Sequence, residues 1–149
     1  MLLYHSNPLP LPSFATLSWG ICRRCRKGRF PTEQLPAAAK TFVQKNFLGQ
    51  TISYAKIDRE CMKTKYEVRL SNGTEIDFDR AGNWDKVDCK FGAVPSKLVP
   101  SNISHQVKKQ YHGVAIPKID KEYFGYEIGL SNRLDHKFNK QGKLAYIDD

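Results

Sequence analysis

The chain has 149 residues, of which 40% are hydrophobic and 26% are charged. This composition excludes a disordered chain, and the length allows one core of moderate size or two small ones. The formal net charge is +9, but acidic and basic residues are interspersed after residue 34, which is typical of a solvated surface and argues against a polyanion-binding tract there.

Residues 1–33 have the features of an irregular leader or a miscalled N-terminus. Four prolines disfavour helix in this stretch, and the apolar run of residues 13–22 is about ten residues long, whereas a membrane span needs about twenty. A secretory signal carries its positive charge before the apolar stretch, but here the Arg/Lys cluster of residues 23–29 follows it. We therefore expect residues 1–33 to lie outside the folded part, and we predict no transmembrane segment.

From residue 34 onward the sequence contains one unit twice. The residues that recur 64 positions later are Pro36, Val43, Lys45, Gly49 and Ile52, and those that recur 60 positions later are Tyr66, Glu67, Leu70, Ser71, Asn72, Phe78, Gly82 and Asp88. The change of offset places a four-residue surplus in the first copy, between Lys56 and Tyr66, where a turn can absorb it. We predict a first repeat over 34–90, a linker over 91–98 and a second repeat over 99–149.

Each repeat begins with a predicted amphipathic helix. In the first repeat Pro36 stands where a helix start tolerates proline, and Gly49 supplies a left-handed stop, which predicts a helix over 36–48. In the second repeat the helix is bounded in the same way by Pro100 and Gly113. Its apolar stripe consists of Ile103, Val107 and Tyr111.

Short alternating segments follow each helix and predict four strands per repeat. The predicted strands are 51–58, 66–70, 75–79 and 84–89 in the first repeat, and 115–121, 125–130, 134–139 and 143–147 in the second. Asn72-Gly73 is a strong hairpin signal, whereas Arg133 replaces the glycine in the second repeat, so we expect a different turn type there. The predicted fold class is α+β: two tandem repeats, each one helix packed on a four-stranded antiparallel meander.

A series of short motifs runs through the first repeat and the linker, and the pattern returns with substitutions in the second repeat. They are Leu35-Pro36, Phe47-x-Gly49, Tyr66-Glu67-Val68-x-Leu70-x-Asn72-Gly73, Phe78-Asp79-x-x-Gly82-x-Trp84-x-x-Val87-Asp88-Cys89 and Val94-Pro95, followed by a second round to Asp148. Over residues 35–149 this pattern resembles the bacterial beta-lactamase-inhibitor-like, PepSY-like proteins. The resemblance implies two helix-plus-sheet halves that present a concave sheet to a partner, export to the periplasm or cell surface, and a binding or inhibitory module without catalytic residues.

The cysteines do not form a recognisable metal or redox site in the sequence. Cys22-x-x-Cys25 has the spacing of half a zinc knuckle, but zinc needs two more ligands and His5 is the only histidine nearby. Cys61 and Cys89 fall at opposite edges of the predicted meander, so we expect two separate thiols, with Cys89 partly buried. We predict no metal and no cofactor.

The carboxylates of Glu75, Asp77 and Asp79 share one side of a predicted strand, where they could bind calcium or act as acid and base. The second repeat replaces Asp77 by Lys137 and Asp79 by Asn139, which dissolves the cluster and favours a solvated strand face. No nucleophile elbow and no phosphate-binding loop is present in the sequence, so we predict that the protein is not an enzyme.

The sheet face that the helices leave uncovered is the predicted binding surface. If Val87 and Ile147 point toward the helices, a period of two sends their neighbours to the other face. The candidate residues are Glu67, Arg69, Asp77, Trp84, Lys86 and Tyr146. The alternative for Trp84 is that its indole caps the edge of the core.

Two functions follow from these observations. The first is a noncatalytic exported module, expected to be a monomer, which binds an unidentified protein or peptide through the exposed sheet face and resembles protease or beta-lactamase inhibitors. The alternative is a nucleic-acid or anionic-surface binder that uses the basic cluster of residues 23–29. The dispersed charge of the remaining chain disfavours nucleic acid.

Overall fold

A computed structural model describes residues 26–60 and 63–148. Its helices and strands are β1 Arg26–Phe30, α1 Ala37–Asn46, β2 Ile52–Glu60, β3 Lys63–Leu70, β4 Glu75–Phe78, β5 Trp84–Asp88, α2 Ser101–Gln110, β6 Lys118–Glu122, β7 Gly125–Gly129, β8 Asp135–Asn139 and β9 Leu144–Asp148. Short 3-10 turns precede both α-helices. The protein therefore belongs to the α+β class.

All nine strands form one antiparallel sheet, and their order in the sheet is their order in the chain. The part of the sheet that follows α1 and the part that follows α2 meet at the β5–β6 pair. There Val87 stands opposite Ile119. The two halves of the chain therefore share one continuous sheet.

The first strand corrects the expectation that residues 1–33 lie outside the fold. β1 pairs with β2 along its whole length, from Arg26 opposite Arg59 to Phe30 opposite Ala55. The Phe30 ring also packs against Tyr66 on β3, with 5.2 Å between the ring centroids. Backbone pairing and this aromatic contact include residues 26–30 in the sheet, although their sequence lacks the alternation of a typical strand. Residues 1–25, with Cys22 and Cys25, lie outside the described residues.

The helix boundaries agree with the sequence signals. Pro36 and Pro100 immediately precede the first helical residues. Gly49 and Gly113 follow the helices with φ of 81° and 76°. Only glycine adopts this left-handed conformation without a steric penalty, so the predicted stops are confirmed.

Both helices pack on the same face of the sheet, over one row of side chains that we call the core row. The core row consists of Ala55, Val68, Ile76, Val87, Ile119, Ile128, His136 and Ile147, each opposite the next. Phe42 of α1 contacts Phe78 beside this row at 5.6 Å between centroids, and Tyr111 at the end of α2 contacts His136 at 5.3 Å. Apolar side chains of both helices join the same buried cluster.

The β7–β8 turn has the geometry of the β3–β4 turn, which corrects the expectation of a different turn type. Arg133 has φ 72° where Gly73 has φ 88°. The N–H of Arg133 donates to the Leu130 carbonyl at 3.0 Å, and the N–H of Gly73 donates to the Leu70 carbonyl at the same distance. The hairpin register on both sides holds the backbone in this shape, so Arg133 adopts it despite its side chain.

Candidate binding site on the open sheet face

The face of the sheet opposite the helices is the candidate site, and we call it the open face. Both α-helices of the described residues pack on the other side. A line of mutually opposed side chains crosses the middle of the open face, and we call it the central row. From β1 to β9 the central row consists of Arg29, Lys56, Glu67, Asp77, Lys86, Asp120, Glu127, Lys137 and Tyr146.

The central row carries four cations and four carboxylates, and these are partly paired along the sheet. The Lys56 ammonium lies 3.6 Å from a carboxylate oxygen of Glu67. Glu127 is bridged on both sides, at 3.0 Å by Lys118 and at 3.6 Å by Lys137. Burial raises the pKa of Glu127, but the hydrogen bond and charge of Lys118, together with those of Lys137, outweigh this effect. The pKa of Glu127 therefore lies below its usual value. This carboxylate is therefore held in its charged form.

Asp77, Lys86 and Asp120 occupy adjacent positions at the centre of the row, with the lysine between the two carboxylates. Burial raises the pKa of both aspartates, and the Lys86 charge only partly offsets this. The charge of Lys86 thus offsets only part of the cost of burying the two ionised carboxylates. A cation from a partner placed over this part of the open face would stabilise both carboxylates.

Aromatic rings flank the charged positions on the open face. The Tyr54 ring lies 5.2 Å from the Arg69 guanidinium and 5.3 Å from the Lys56 ammonium. On β9, the Lys137 ammonium lies 4.9 Å from the Tyr146 ring, and its hydrogen bond to Tyr146 raises the pKa of the lysine. A cation over a ring is attracted to its face, and aromatic side chains are the type that anchors protein interfaces.

Trp84 does not lie on the open face, which corrects the sequence prediction. The ladder between β4 and β5 pairs Asp77 with Lys86 but Phe78 with Trp84, so Asp85 is an extra residue in a β-bulge. A bulge reverses the side on which the preceding residue projects. The partly buried indole packs 6.0 Å from the Phe42 ring of α1. The alternative reading, an indole that completes the core edge, therefore describes its position.

The other five predicted site residues do lie on the open face. Glu67, Asp77, Lys86 and Tyr146 belong to the central row, and Arg69 lies beside it, paired with Glu75. The sequence prediction missed five members of the central row: Arg29, Lys56, Asp120, Glu127 and Lys137. The repeat offset could have identified Glu127 and Lys137, because they lie 60 residues after Glu67 and Asp77.

The carboxylates that the sequence placed on one strand are engaged separately. Glu75 pairs with Arg69 and with Lys90. Asp79 instead closes its own turn, since its carboxylate accepts the backbone N–H groups of Ala81 and Asn83, each at 2.9 Å. Within residues 26–60 and 63–148, no group of three or more His, Cys, Asp or Glu side chains is arranged to hold a metal ion.

The sequence predicts separate thiols at Cys61 and Cys89, and the structure describes Cys89. Cys89 is a free and buried cysteine, and burial raises the pKa of its thiol. Cys61 lies outside the described residues. A helix long and apolar enough to cross a membrane does not occur in the described part of the chain.

Comparison with protein families identifies the chain. The family model described as "Putative beta-lactamase-inhibitor-like, PepSY-like" matches residues 17–72 and 64–146. The chain belongs to this PepSY-like family. A comparison with curated proteins found no match.

Three solved structures show the same fold at 32% sequence identity, and each match covers 83% of this PepSY-like chain. One is described as a "putative calcium-regulated periplasmic protein" of Bacteroides thetaiotaomicron, with a TM-score of 0.78 and 97% of that chain covered. Two are described as putative periplasmic proteins of Bacteroides vulgatus, with TM-scores of 0.78 and 0.80 and with 97% and 100% of those chains covered.

Proposed function

We propose that this PepSY-like protein is a noncatalytic periplasmic module that binds another protein through the open face of its sheet. The observation that carries the proposal is the central row, a continuous line of eight charged side chains from β1 to β8 that ends at Tyr146 on β9, on the side away from both helices. In this proposal each helix with its four following strands is the duplicated unit, and joining two units at β5–β6 doubles the face available to a partner.

The distribution of charge supports a protein partner over a polyanion at this face. Cations and carboxylates are equal in number along the central row, whereas α1 and α2 contain lysines and no acidic residue. A polyanion would meet repulsion from Asp77, Asp120 and the other carboxylates of the row. A folded protein can present a complementary pattern of both signs, which confers specificity and register.

The location and the absence of catalysis in this proposal rest on the family. The solved relatives are described as periplasmic, and the family description refers to inhibitors of an enzyme, which are themselves binding proteins. The partly exposed aromatic rings and the carboxylates of raised pKa on the open face suit a docking surface, since both gain from contact with a partner.

A charge-swap variant tests the open face without changing net charge. In Lys56→Glu/Glu67→Lys the ion pair across β2 and β3 is kept but reversed, and each new side chain still faces an opposite charge in the row, at Arg29 or Asp77. We expect the variant to fold with an unchanged melting temperature. Immobilised wild type and variant are then compared in capture from a periplasmic extract.

The proposal predicts that a partner captured by the wild type is not captured by the swap variant. A control, Lys45→Glu/Lys109→Glu, reverses the charge of one lysine on each helix and is expected to keep the partner. A captured beta-lactamase or protease would be assayed for inhibition. Equal capture by the swap variant contradicts the proposal. Loss of capture after nuclease treatment would favour the nucleic-acid alternative, and loss of capture in the helix control alone would contradict binding through the open face.

A further inference from the structure

The outer edge of β9 differs from the opposite edge of the sheet. Among the described residues β9 pairs with β8 only. Its side chains are exposed although most are apolar: Leu144 is 36% exposed, Tyr146 52% and Ile147 38%. β1, at the other edge, contains three basic residues in five, the kind of charged edge that discourages pairing with other chains. β9 has no such protection along Leu144–Ile147.

The repeat shows what completes a strand of this kind. β9 corresponds to β5 with an offset of 60, so Ile147 corresponds to Val87. β5 has a further strand, β6, on its outer side, and Val87 is fully buried opposite Ile119. Ile147 holds the same place in the core row but is left half-covered. An added strand beside β9 would complete the burial that β6 provides for β5.

The backbone of β9 has the phase required for this addition. Asn139 donates its N–H to the Lys143 carbonyl at 2.9 Å, so Lys137 and Asp135, which alternate with it along β8, also direct their backbone groups toward β9. The N–H and C=O of Ile147 therefore point to the outer edge. The same phase occurs in β5, where Cys89 donates to the Pro117 carbonyl across the β5–β6 pair.

We propose that β9 is a docking edge for an extended segment of a partner protein, which adds as an antiparallel strand with an aliphatic residue opposite Ile147 and a lysine or arginine opposite Asp148. The register of the β5–β6 pair indicates this chemistry, because Asp88, the counterpart of Asp148, stands opposite Lys118. The Asp148 carboxylate has the Lys137 ammonium at 3.4 Å on the β8 side and is still 59% exposed, so it can also receive a cation from an added strand. The added strand would bind the outward backbone groups of β9, which the open-face contact does not use, so the proposal adds a second contact to the proposed function and does not require the first.

A peptide that copies β6 is the probe. A fluorescent peptide with the sequence of residues 115–122 is titrated into the full chain and followed by anisotropy. We expect saturable binding, weakened at least tenfold by Ile147→Lys in the protein or Ile119→Lys in the peptide. Tyr123→Ala removes an exposed aromatic away from the edge and is expected to leave binding unchanged.

A charge swap keeps the test valid if Ile147→Lys perturbs the fold. Asp148→Lys is expected to weaken binding of the native peptide and to strengthen binding of the Lys118→Glu peptide. Amide exchange supplies an independent measurement: the Ile147 amide is expected to exchange fast in the isolated chain and slowly with peptide, while the Val87 amide is slow in both.

Three results would overturn the proposal: no saturable binding, no effect of either charge swap, or an Ile147 amide already protected without peptide. Protection that depends on protein concentration would show a second copy at the edge, and concentration-independent protection would show another part of this chain. Peptide binding is expected to survive the Lys56→Glu/Glu67→Lys swap, so failure here and failure of the open-face proposal can be told apart.

Discussion

Arg133 adopts the same left-handed backbone conformation as Gly73, with φ 72° against 88°, in the corresponding turn of the other half of the sheet. A non-glycine residue in this region is strained by about 1 kcal/mol, because its Cβ approaches the backbone. Arg133 is also the one non-glycine residue with positive φ within residues 26–60 and 63–148. The pairing of the two flanking strands thus sets the geometry of the turn, and Arg133 adopts that geometry in spite of the strain.

Replacing Arg133 by glycine is expected to stabilise the protein by about 0.5–1 kcal/mol, since relief of strain outweighs the added freedom of the unfolded chain. The reciprocal change, Gly73→Arg, is expected to destabilise it by about 1 kcal/mol or more, because the added Cβ also meets the Phe91 ring at 3.2 Å. Urea unfolding of both variants provides the measurement. An unstable Arg133→Gly variant would contradict this account of the turn.

His136 occupies the core-row position that Ile76 holds in the first half of the sheet. It is almost fully buried, and its Nε2 has no hydrogen-bond partner among the described residues. Burial lowers the pKa of His136 below 6.5, although the Asp135 charge opposes this. An unpaired buried nitrogen costs about 1–3 kcal/mol. We therefore expect His136→Ile to raise the free energy of unfolding by that order at pH 7.5.

The same substitution is expected to reduce the dependence of stability on pH. In the wild type the unfolded chain binds a proton at His136 near pH 6.5 while the folded chain does not, so stability falls as the pH is lowered through this range. The isoleucine variant lacks this term. Urea unfolding at pH 7.5 and pH 5.5 measures it, and an equal loss of stability in wild type and variant would show that His136 is not responsible.

Trp84 is expected to matter for stability and not for binding. Its ring packs on Phe42 and lies 3.7 Å beneath the Lys121 ammonium, on the helix side of the sheet. Trp84→Ala is expected to cost about 2–4 kcal/mol, because it leaves a cavity at the edge of the core. Tyr146→Ala, on the open face, is expected to cost less than 1 kcal/mol. Thermal unfolding and partner capture of the two variants separate the roles.

Asp120 is predicted to lower stability at neutral pH. Burial raises the pKa of its carboxyl, so the folded state holds the proton to higher pH than the unfolded chain, and stability is lost as the pH rises through the shifted pKa. Asp120→Asn is therefore expected to raise the melting temperature at pH 7 and to leave it unchanged near pH 3. Calorimetry at both pH values measures this, and a lower melting temperature at pH 7 would mean that Lys86 stabilises the carboxylate more than burial destabilises it.

Local signals in the sequence predicted much of the fold because the responsible forces are local. Proline and glycine at Pro36 and Gly49 place a helix start and stop, and alternation places the strands. The errors arose where distant pairing decides the outcome. A bulge at Asp85 turned Trp84 to the other face, and pairing with β2 drew in the basic segment of β1, which has no strand-like alternation of its own.

Part of the open face could be predicted because alternation along a single strand is a local signal. The prediction was incomplete because pairing between distant strands decides which other residues share the face. A period of two placed Glu67 and Lys86 correctly on one side. The side chains that stand opposite them depend on strand order and register across the whole sheet. Lys56 and Asp120 joined the central row only once the ladder pairs were known, because a one-residue slip would have put them in the core.

The central claim is that the open face is available to a partner in the complete chain. Lysine footprinting by mass spectrometry tests it most directly, because Lys56 and Lys65 lie on this face with side chains 44% and 50% exposed. We predict that both are modified as readily as the helix residue Lys45 in the isolated full-length protein, and that only Lys56 and Lys65 become protected when the captured partner is added. Protection of Lys56 and Lys65 in the isolated chain would contradict the account.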